Sequence, residues 1–510
     1  MSCTIWGSVV TEMAVAHKPI PKSATGIAGL DQILNGGVPK GRVTLVTGNS
    51  GTGKTLLGLE FLVNGIRQYD ENALLVTFEE SATKVTANVG SLGFDLNKLQ
   101  DDGKLTIMAF KVDPVLKEDG GYFDFAPLLV LLEEAIARTG TKRVVLDTIE
   151  LLFGTFSDES VMRIEIVRLM RWLEDRHVTA IITGESGKDS LTRYGIEEYV
   201  SDCVIVLDHR VHDEVSTRRL RILKYRGSVH GTNEYPFLIG KDGFIVLPVT
   251  GMSLDYAVSR KRMSTGVPDL DEMLSGGPYR GSTTLITGVA GTGKTSISMS
   301  MVKAACARGE RCLVILYEES AAQVERNMES IGINLKQWTD SGLLKIFAAR
   351  PQEFGLENHL AMFIGMLDSF KPALVSVDGL SAFNKSEFDP GVFVFVTRKV
   401  GLLKARGITA VLTTLGNGAD DESSDLGISS LIDTWILLRN IEKNGERNRI
   451  LFVSKSRGTA HSNQVREFML SGDGVRLVDV YIGPDGILVG SERRAQEMID
   501  LNRHRGRTGQ

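Results

Sequence analysis

One pattern occurs twice in the 510-residue chain, in matching settings. Residues 48–55 read G-N-S-G-T-G-K-T and residues 288–295 read G-V-A-G-T-G-K-T. Both satisfy G-x-x-x-x-G-K-[ST], and both follow a short apolar run, Val43-Thr44-Leu45-Val46 in one and Thr283-Thr284-Leu285-Ile286 in the other. A strand that ends in a glycine-rich turn and opens a helix presents backbone N–H groups and a helix N-terminus to phosphate oxygens. The lysine reaches the terminal phosphates and the hydroxyl binds magnesium. The expected ATP-binding residues are Gly48, Ser50, Gly51, Thr52, Gly53, Lys54 and Thr55 in the first loop. In the second they are Gly288, Ala290, Gly291, Thr292, Gly293, Lys294 and Thr295. ATP and Mg2+ are the expected cofactors.

The duplication extends over the chain. Thr25-Gly26-Ile27, Gly36-Gly37 and Gly41 return 240 residues later as Thr265-Gly266-Val267, Gly276-Gly277 and Gly281. Glu79-Glu80, after the run Leu74-Leu75-Val76-Thr77-Phe78, return as Glu318-Glu319. Val144-Val145-Leu146-Asp147 returns as Val375-Ser376-Val377-Asp378, and Lys224-Tyr225-Arg226-Gly227 as Lys455-Ser456-Arg457-Gly458. Two copies of about 230–240 residues each fit single α/β domains. The expected division is a leader (1–20), one domain (21–250), a second (251–484) and a flexible basic tail (485–510). Apolar β-branched runs alternate with helical stretches such as 128–138 and 161–176. That alternation predicts an α/β fold of two tandem P-loop domains, each a mainly parallel sheet flanked by helices.

Charge enters only by exclusion. The chain has 58 Lys+Arg against 63 Asp+Glu, a formal net charge of −5, so no strong positive field draws in nucleic acid or an anionic membrane. No apolar run is long enough to span a bilayer, and the leader lacks the pattern of a signal peptide. A cytoplasmic location is expected. Cys3, Cys203, Cys306 and Cys312 form no C-x-x-C pair, and Cys306 and Cys312 are expected in the core.

Asp147 and Asp378 end apolar strands, where a carboxylate holds magnesium through water; a plain helix cap is the alternative. Glu79, Glu80, Glu318 and Glu319 also follow strand ends, at the edge where a general base would polarise an attacking water or hydroxyl. Lys224, Arg226, Lys455 and Arg457 lie late in each copy, far from their own loops. They fit cations supplied to a neighbouring subunit's nucleotide. Ser228 and His230 follow the first pair, Thr459 and His461 the second. The copies diverge where Gly195-Ile196-Glu197-Glu198 faces Gly427-Ile428-Ser429-Ser430. Hydroxyls replace carboxylates there, and phosphorylation would restore the charge; neutral drift in a loop is the alternative.

These residues resemble the KaiC family, double-domain RecA-like ATPases and autokinases of the cyanobacterial circadian clock. The resemblance covers about residues 22–480. It rests on Thr77-Phe78-Glu79-Glu80, Arg193-Tyr194-Gly195-Ile196-Glu197-Glu198, Tyr317-Glu318-Glu319-Ser320, residues 428–438, Glu234-Tyr235-Pro236-Phe237 and Arg466-Glu467-Phe468. It implies RecA-like domains and a homohexamer of two stacked rings with ATP between subunits. The N-terminal ring would hydrolyse ATP slowly. The C-terminal ring would transfer phosphate to Ser429 and Ser430 of a neighbour, reversibly. Glu318 falls on the family's catalytic base and joins Thr55, Asp147, Thr295 and Asp378 on the metal side. Ser91, Lys224, Tyr225, Arg226, Ser228 and His230 fall with the N-terminal nucleotide contacts. Arg449, Lys455, Arg457 and Thr459 fall with the C-terminal ones. Ile331 stands where the family stacks a tryptophan. The resemblance implies KaiB-like partners. It does not carry KaiA dependence, because residues 491–510 show little match to the segment KaiA seizes.

Two other classes remain at this point. A DNA-handling recombinase or helicase would use the same core, and stimulation by single-stranded DNA would reveal it. A scaffold would use nucleotide only to hold a ring, and turnover abolished by Glu318→Gln would exclude it.

Overall fold

The apolar run before each glycine-rich turn becomes the middle strand of a nine-stranded sheet. The structure, a computed structural model, describes residues 20–90, 92–110, 124–153, 156, 158–187, 201–212, 215–240, 243–248, 256–383, 390–416, 428–483 and 486–507. The chain divides into two compact units, 1–250 and 251–510.

In the first unit the strand Val43–Gly48 is buried at every position. It lies between Thr179–Glu185 and Cys203–His212, parallel to both. Arg143–Asp147, Ala73–Thr77 and Leu105–Ala109 continue the parallel part. Val215–Tyr225, Glu234–Gly240 and Gly243–Val246 extend the other edge antiparallel. A parallel sheet must be covered on both faces, and alternate strand residues divide accordingly. Leu75 and Val145 pack in one cluster with Leu57 and Phe61 of the helix Lys54–Tyr69. Leu74, Val76, Val144 and Leu146 pack in another with the helices Ala126–Thr139 and Glu159–Asp175. The period of two in side-chain direction makes that division.

The second unit repeats the strand order around Thr283–Thr287. It repeats single hydrogen bonds as well. Asp31 accepts from the Thr25 N–H and Asp271 from the Thr265 N–H, both at 2.7 Å. Thr179 Oγ1 accepts from the Gly41 N–H and Thr409 Oγ1 from the Gly281 N–H, both at 3.0 Å. Cys203, Cys306 and Cys312 are buried. Among the described residues no helix is long and apolar enough to cross a membrane.

The tail is a correction. In place of a flexible segment over 485–510, Gly486–Leu488 pairs with Tyr481–Gly483, and a helix runs over Gly490–Arg507. Arg493 reaches Glu467 of the strand Arg466–Ser471 at 2.6 Å, and both side chains are almost wholly buried. Glu467 also accepts from the Gly490 N–H. Composition hid this, because one buried pair inside a charged stretch leaves no apolar periodicity.

Candidate functional site

Both glycine-rich loops have the same internal bonding. Lys54 Nζ donates to the carbonyls of Gly48 at 2.7 Å and Asn49 at 3.0 Å. Lys294 Nζ donates to Gly288 at 2.7 Å and Val289 at 3.0 Å. Thr52 and Thr292 close the turns on the carbonyls of Asn49 and Val289. Gly53 has φ 101° and Gly293 φ 102°. A Cβ there would sit 2.7 Å from Ile239 in one unit and 2.6 Å from Phe468 in the other. Left-handed backbone and this crowding both require glycine. Ser50, Gly51, Ala290 and Gly291 form the exposed tips, where a Cβ on Gly51 or Gly291 would meet nothing. Burial lowers the pKa of both lysines; Glu185, Glu150, Asp147 and Glu79 oppose that at Lys54, and Asp378 and Glu318 at Lys294. A partly desolvated cation at an open cradle of N–H groups suits a triphosphate.

The metal-side residues meet in the second unit. Thr295 Oγ1 donates to Asp378 Oδ2 at 3.0 Å, and the other Asp378 oxygen accepts from Thr413. In the first unit Asp147 accepts from Thr183, and Thr55 is half-buried at the matching place. Among the described residues no cluster of three or more His, Cys, Asp or Glu could hold a metal alone. The hydroxyl–carboxylate pair fits Mg2+, which takes one or two such groups and completes its shell with phosphate and water.

Within each glutamate pair the two members separate. Glu80 accepts from Asn88 at 3.3 Å, and Glu319 from Asn327 at 3.2 Å, so the second glutamate is tied to the helix that follows. Glu79 and Glu318 instead bear on the loop lysines. Glu318 lies against Gly379 and accepts from Ser381 Oγ at 3.4 Å.

Sequence reasoning missed a difference between the sites. Glu150, which is buried, accepts the N–H of Glu185 at the strand end next to the P-loop strand. In the second unit Ser381 Oγ accepts the N–H of Leu415 at 3.3 Å in that place. The first site thus holds two carboxylates that the second lacks. Aligning Asp147-Thr148-Ile149-Glu150 with Asp378-Gly379-Leu380-Ser381 would have exposed the exchange.

Tyr225 is tied into its own unit. Its ring is buried, its hydroxyl donates to the Gly37 carbonyl at 2.8 Å, and Lys22 lies over its face. Its side chain anchors a turn. His230 stacks on it, and Ser228 accepts from Lys22 Nζ at 2.7 Å. Lys224 and Arg226 close the strand Val215–Tyr225, and Arg226 is exposed. In the second unit Lys455, Arg457, Thr459 and Arg449 lie on or just beyond Glu446–Ser456. Ile331 packs partly onto the core. Ser91, Glu197 and Glu198 lie outside the described residues, as does the Ser429 side chain. Ser430 is exposed in the turn Ile428–Leu431. Arg457 donates to its carbonyl at 2.7 Å, and Lys404 donates to that of Leu431 at 3.0 Å.

Two mainly parallel sheets, each presenting a complete phosphate loop at its middle strand, define a tandem P-loop ATPase of the RecA-like class. The KaiC ATPase family model matches residues 23–251 and again 263–480. The chain is 48% identical over 476 residues to circadian clock protein KaiC2 of a Synechocystis species, covering 92% of this chain and 84% of that one. It is 40% identical to circadian clock oscillator protein KaiC of Parathermosynechococcus lividus, covering 95% and 91%. It is 39% identical to that of Synechococcus elongatus, covering 96% and 95%. The chain belongs to the KaiC family of ATPases. Membership favours this class over the DNA-handling ATPases.

Proposed function

We propose that the chain is a clock-type regulatory ATPase and autokinase: a homohexamer of two rings that binds Mg·ATP between subunits. The N-terminal ring hydrolyses ATP slowly, with Glu79 orienting the lytic water. The C-terminal ring phosphorylates Ser429 and Ser430 of a neighbour. There Glu318 accepts the serine proton as Oγ bonds to the γ-phosphorus, and the bond to the β,γ-bridging oxygen breaks to leave ADP. Thr295 and Asp378 would hold magnesium, which would supply neutralisation of charge on the phosphate oxygens. Lys455 and Arg457 serve the neighbour's nucleotide. A KaiB-like partner binds the N-terminal ring, and the resemblance carries no dependence on KaiA.

The observation that carries the kinase reading is the setting of the Ser429-Ser430 turn. Arg457 and Lys404 hold its carbonyls, and Lys455 feels both cations. A phosphoserine adds about −1.5 to −2 charge and three acceptor oxygens, and Arg457 and Lys404 are anchored to the backbone of this same turn. Intact-mass spectrometry after incubation with Mg·ATP should show up to two added phosphates, both on the Ser429-Ser430 peptide. Glu318→Gln should slow their appearance by about 10²–10⁴-fold. Wild-type protein that turns over ATP yet gains no mass would remove the kinase. Mixing Lys294→Ala subunits with Ser429→Ala/Ser430→Ala subunits then tests transfer between neighbours.

A further inference from the structure

The second unit buries a lysine in an aromatic cage. Lys399, on the helix Pro390–Ala405, is 2% exposed. Its Nζ is hydrogen-bonded to Tyr317 Oη. It lies 4.4 Å from the ring centroid of Phe395 and 4.9 Å from those of Tyr317 and Phe363. Burying an amine is costly, so packing alone selects against it.

The sister unit shows that the fold has no need of it. Thr179 and Thr409 are equivalent by their bonds to Gly41 and Gly281. His177 and Gly407 mark the same helix end with positive φ. Counting back from both, Lys399 corresponds to Leu169. Phe78 and Tyr317 correspond because their N–H groups donate to the carbonyls of Asp147 and Asp378, at 2.8 and 3.1 Å. Phe78 and Leu169 are buried together in one apolar cluster. An apolar pair in one unit is a polar pair in the other.

That polar pair stands directly behind Glu318. Tyr317 precedes it in the chain, and its backbone joins the strand end to the one that carries Asp378. We propose that Lys399 is a positioning residue for the C-terminal site: through Tyr317 it clamps the end of the strand Cys312–Leu316, fixes where Glu318 points, and changes that clamp when it gains or loses a proton. The inference rests on the reading of Glu318 as the base.

Burial pushes the amine down to about 7, so both protonation states exist near neutrality. The neutral amine accepts the phenol's O–H. The ammonium donates to the phenol oxygen and lies against the ring faces. Among the described residues, the other titratable groups on this cage are Tyr317, on the strand side, and His359, on the helix Leu356–Phe370. Burial raises the Tyr317 phenol and lowers the His359 imidazole, so both stay neutral there. The cage residue on the lysine's own helix, Phe395, carries no charge.

The experiment uses the full chain with N-terminal turnover silenced by Glu79→Gln/Glu80→Gln. In that background, C-terminal ATP consumption should show a step near pH 7. Lys399→Leu should remove the step and lower kcat by about 10–100-fold, with KM for ATP within about twofold. Stability supplies an independent reading. A lysine depressed when folded leaves the unfolded chain binding more protons above its folded pKa, so stability rises with pH from there towards about 10.4. The Tm advantage of Lys399→Leu over its parent should therefore shrink between about pH 6 and about pH 9. If Lys399→Leu does not fold, Tyr317→Phe/Lys399→Leu installs the sister unit's pair and takes the same measurements. An unchanged kcat and pH profile in folded protein, while Glu318→Gln abolishes turnover, overturns the clamp alone. Turnover that survives Glu318→Gln overturns the base and the clamp together.

Discussion

At Glu150 and Ser381 the two units meet one requirement with different charge. Each side chain accepts the N–H at the end of the strand beside the P-loop strand. The carboxylate brings a negative charge, and so does Glu185, whose counterpart is Leu415. Both bear on Lys54. Two extra negative charges beside a triphosphate oppose its binding, more so at low salt. Glu150→Ser/Glu185→Leu, which copies the second site, should bind ATP at the first site more tightly, by about tenfold at low salt. Equilibrium binding of a non-hydrolysable analogue in a Lys294→Ala background measures it. Affinity that stays equal or weakens would show that the two carboxylates do not act against the nucleotide's charge.

At the scale of elements, the strand–turn–helix units were legible because backbone chemistry leaves them few alternatives. Gly53 and Gly293 must be glycine where φ is near 100°, and lysine and threonine must open the helix that faces phosphate. The C-terminal helix was not legible. Its docking depends on Arg493 meeting Glu467, 26 residues apart in sequence. Removing one partner of a buried pair strands the other, at a cost of about 3–5 kcal/mol. Arg493→Ala should therefore release the helix Gly490–Arg507, read as faster proteolysis near residue 490, while the P-loop core stays resistant. Equal protease sensitivity in the two proteins would mean that the pair does not hold the helix.

For the whole molecule, the division of labour between the loops is the testable matter. Ligand that binds only the assembled ring drives assembly by mass action, and the N-terminal ring is proposed as the scaffold. Lys54→Ala should impair ATP-dependent hexamer formation more than Lys294→Ala, as read by light scattering with and without ATP. A hexamer that persists in nucleotide-free Lys54→Ala protein would contradict this.

The sequence by itself determined the duplication, the phosphate loops, the strand-end carboxylates and the α/β class, because each is written in a local pattern with one physical meaning. Only the tertiary structure showed how the second glutamate of each pair is held, since Glu80 and Glu319 accept from Asn88 and Asn327 of the following helices. It alone showed the Tyr225 side chain turned inward, with its hydroxyl on the Gly37 carbonyl. It also placed Lys399 behind Glu318, 81 residues away in sequence. A buried amine leaves no periodic trace in the chain. Its environment is assembled from a strand end and two helices that meet only when the sheet is covered.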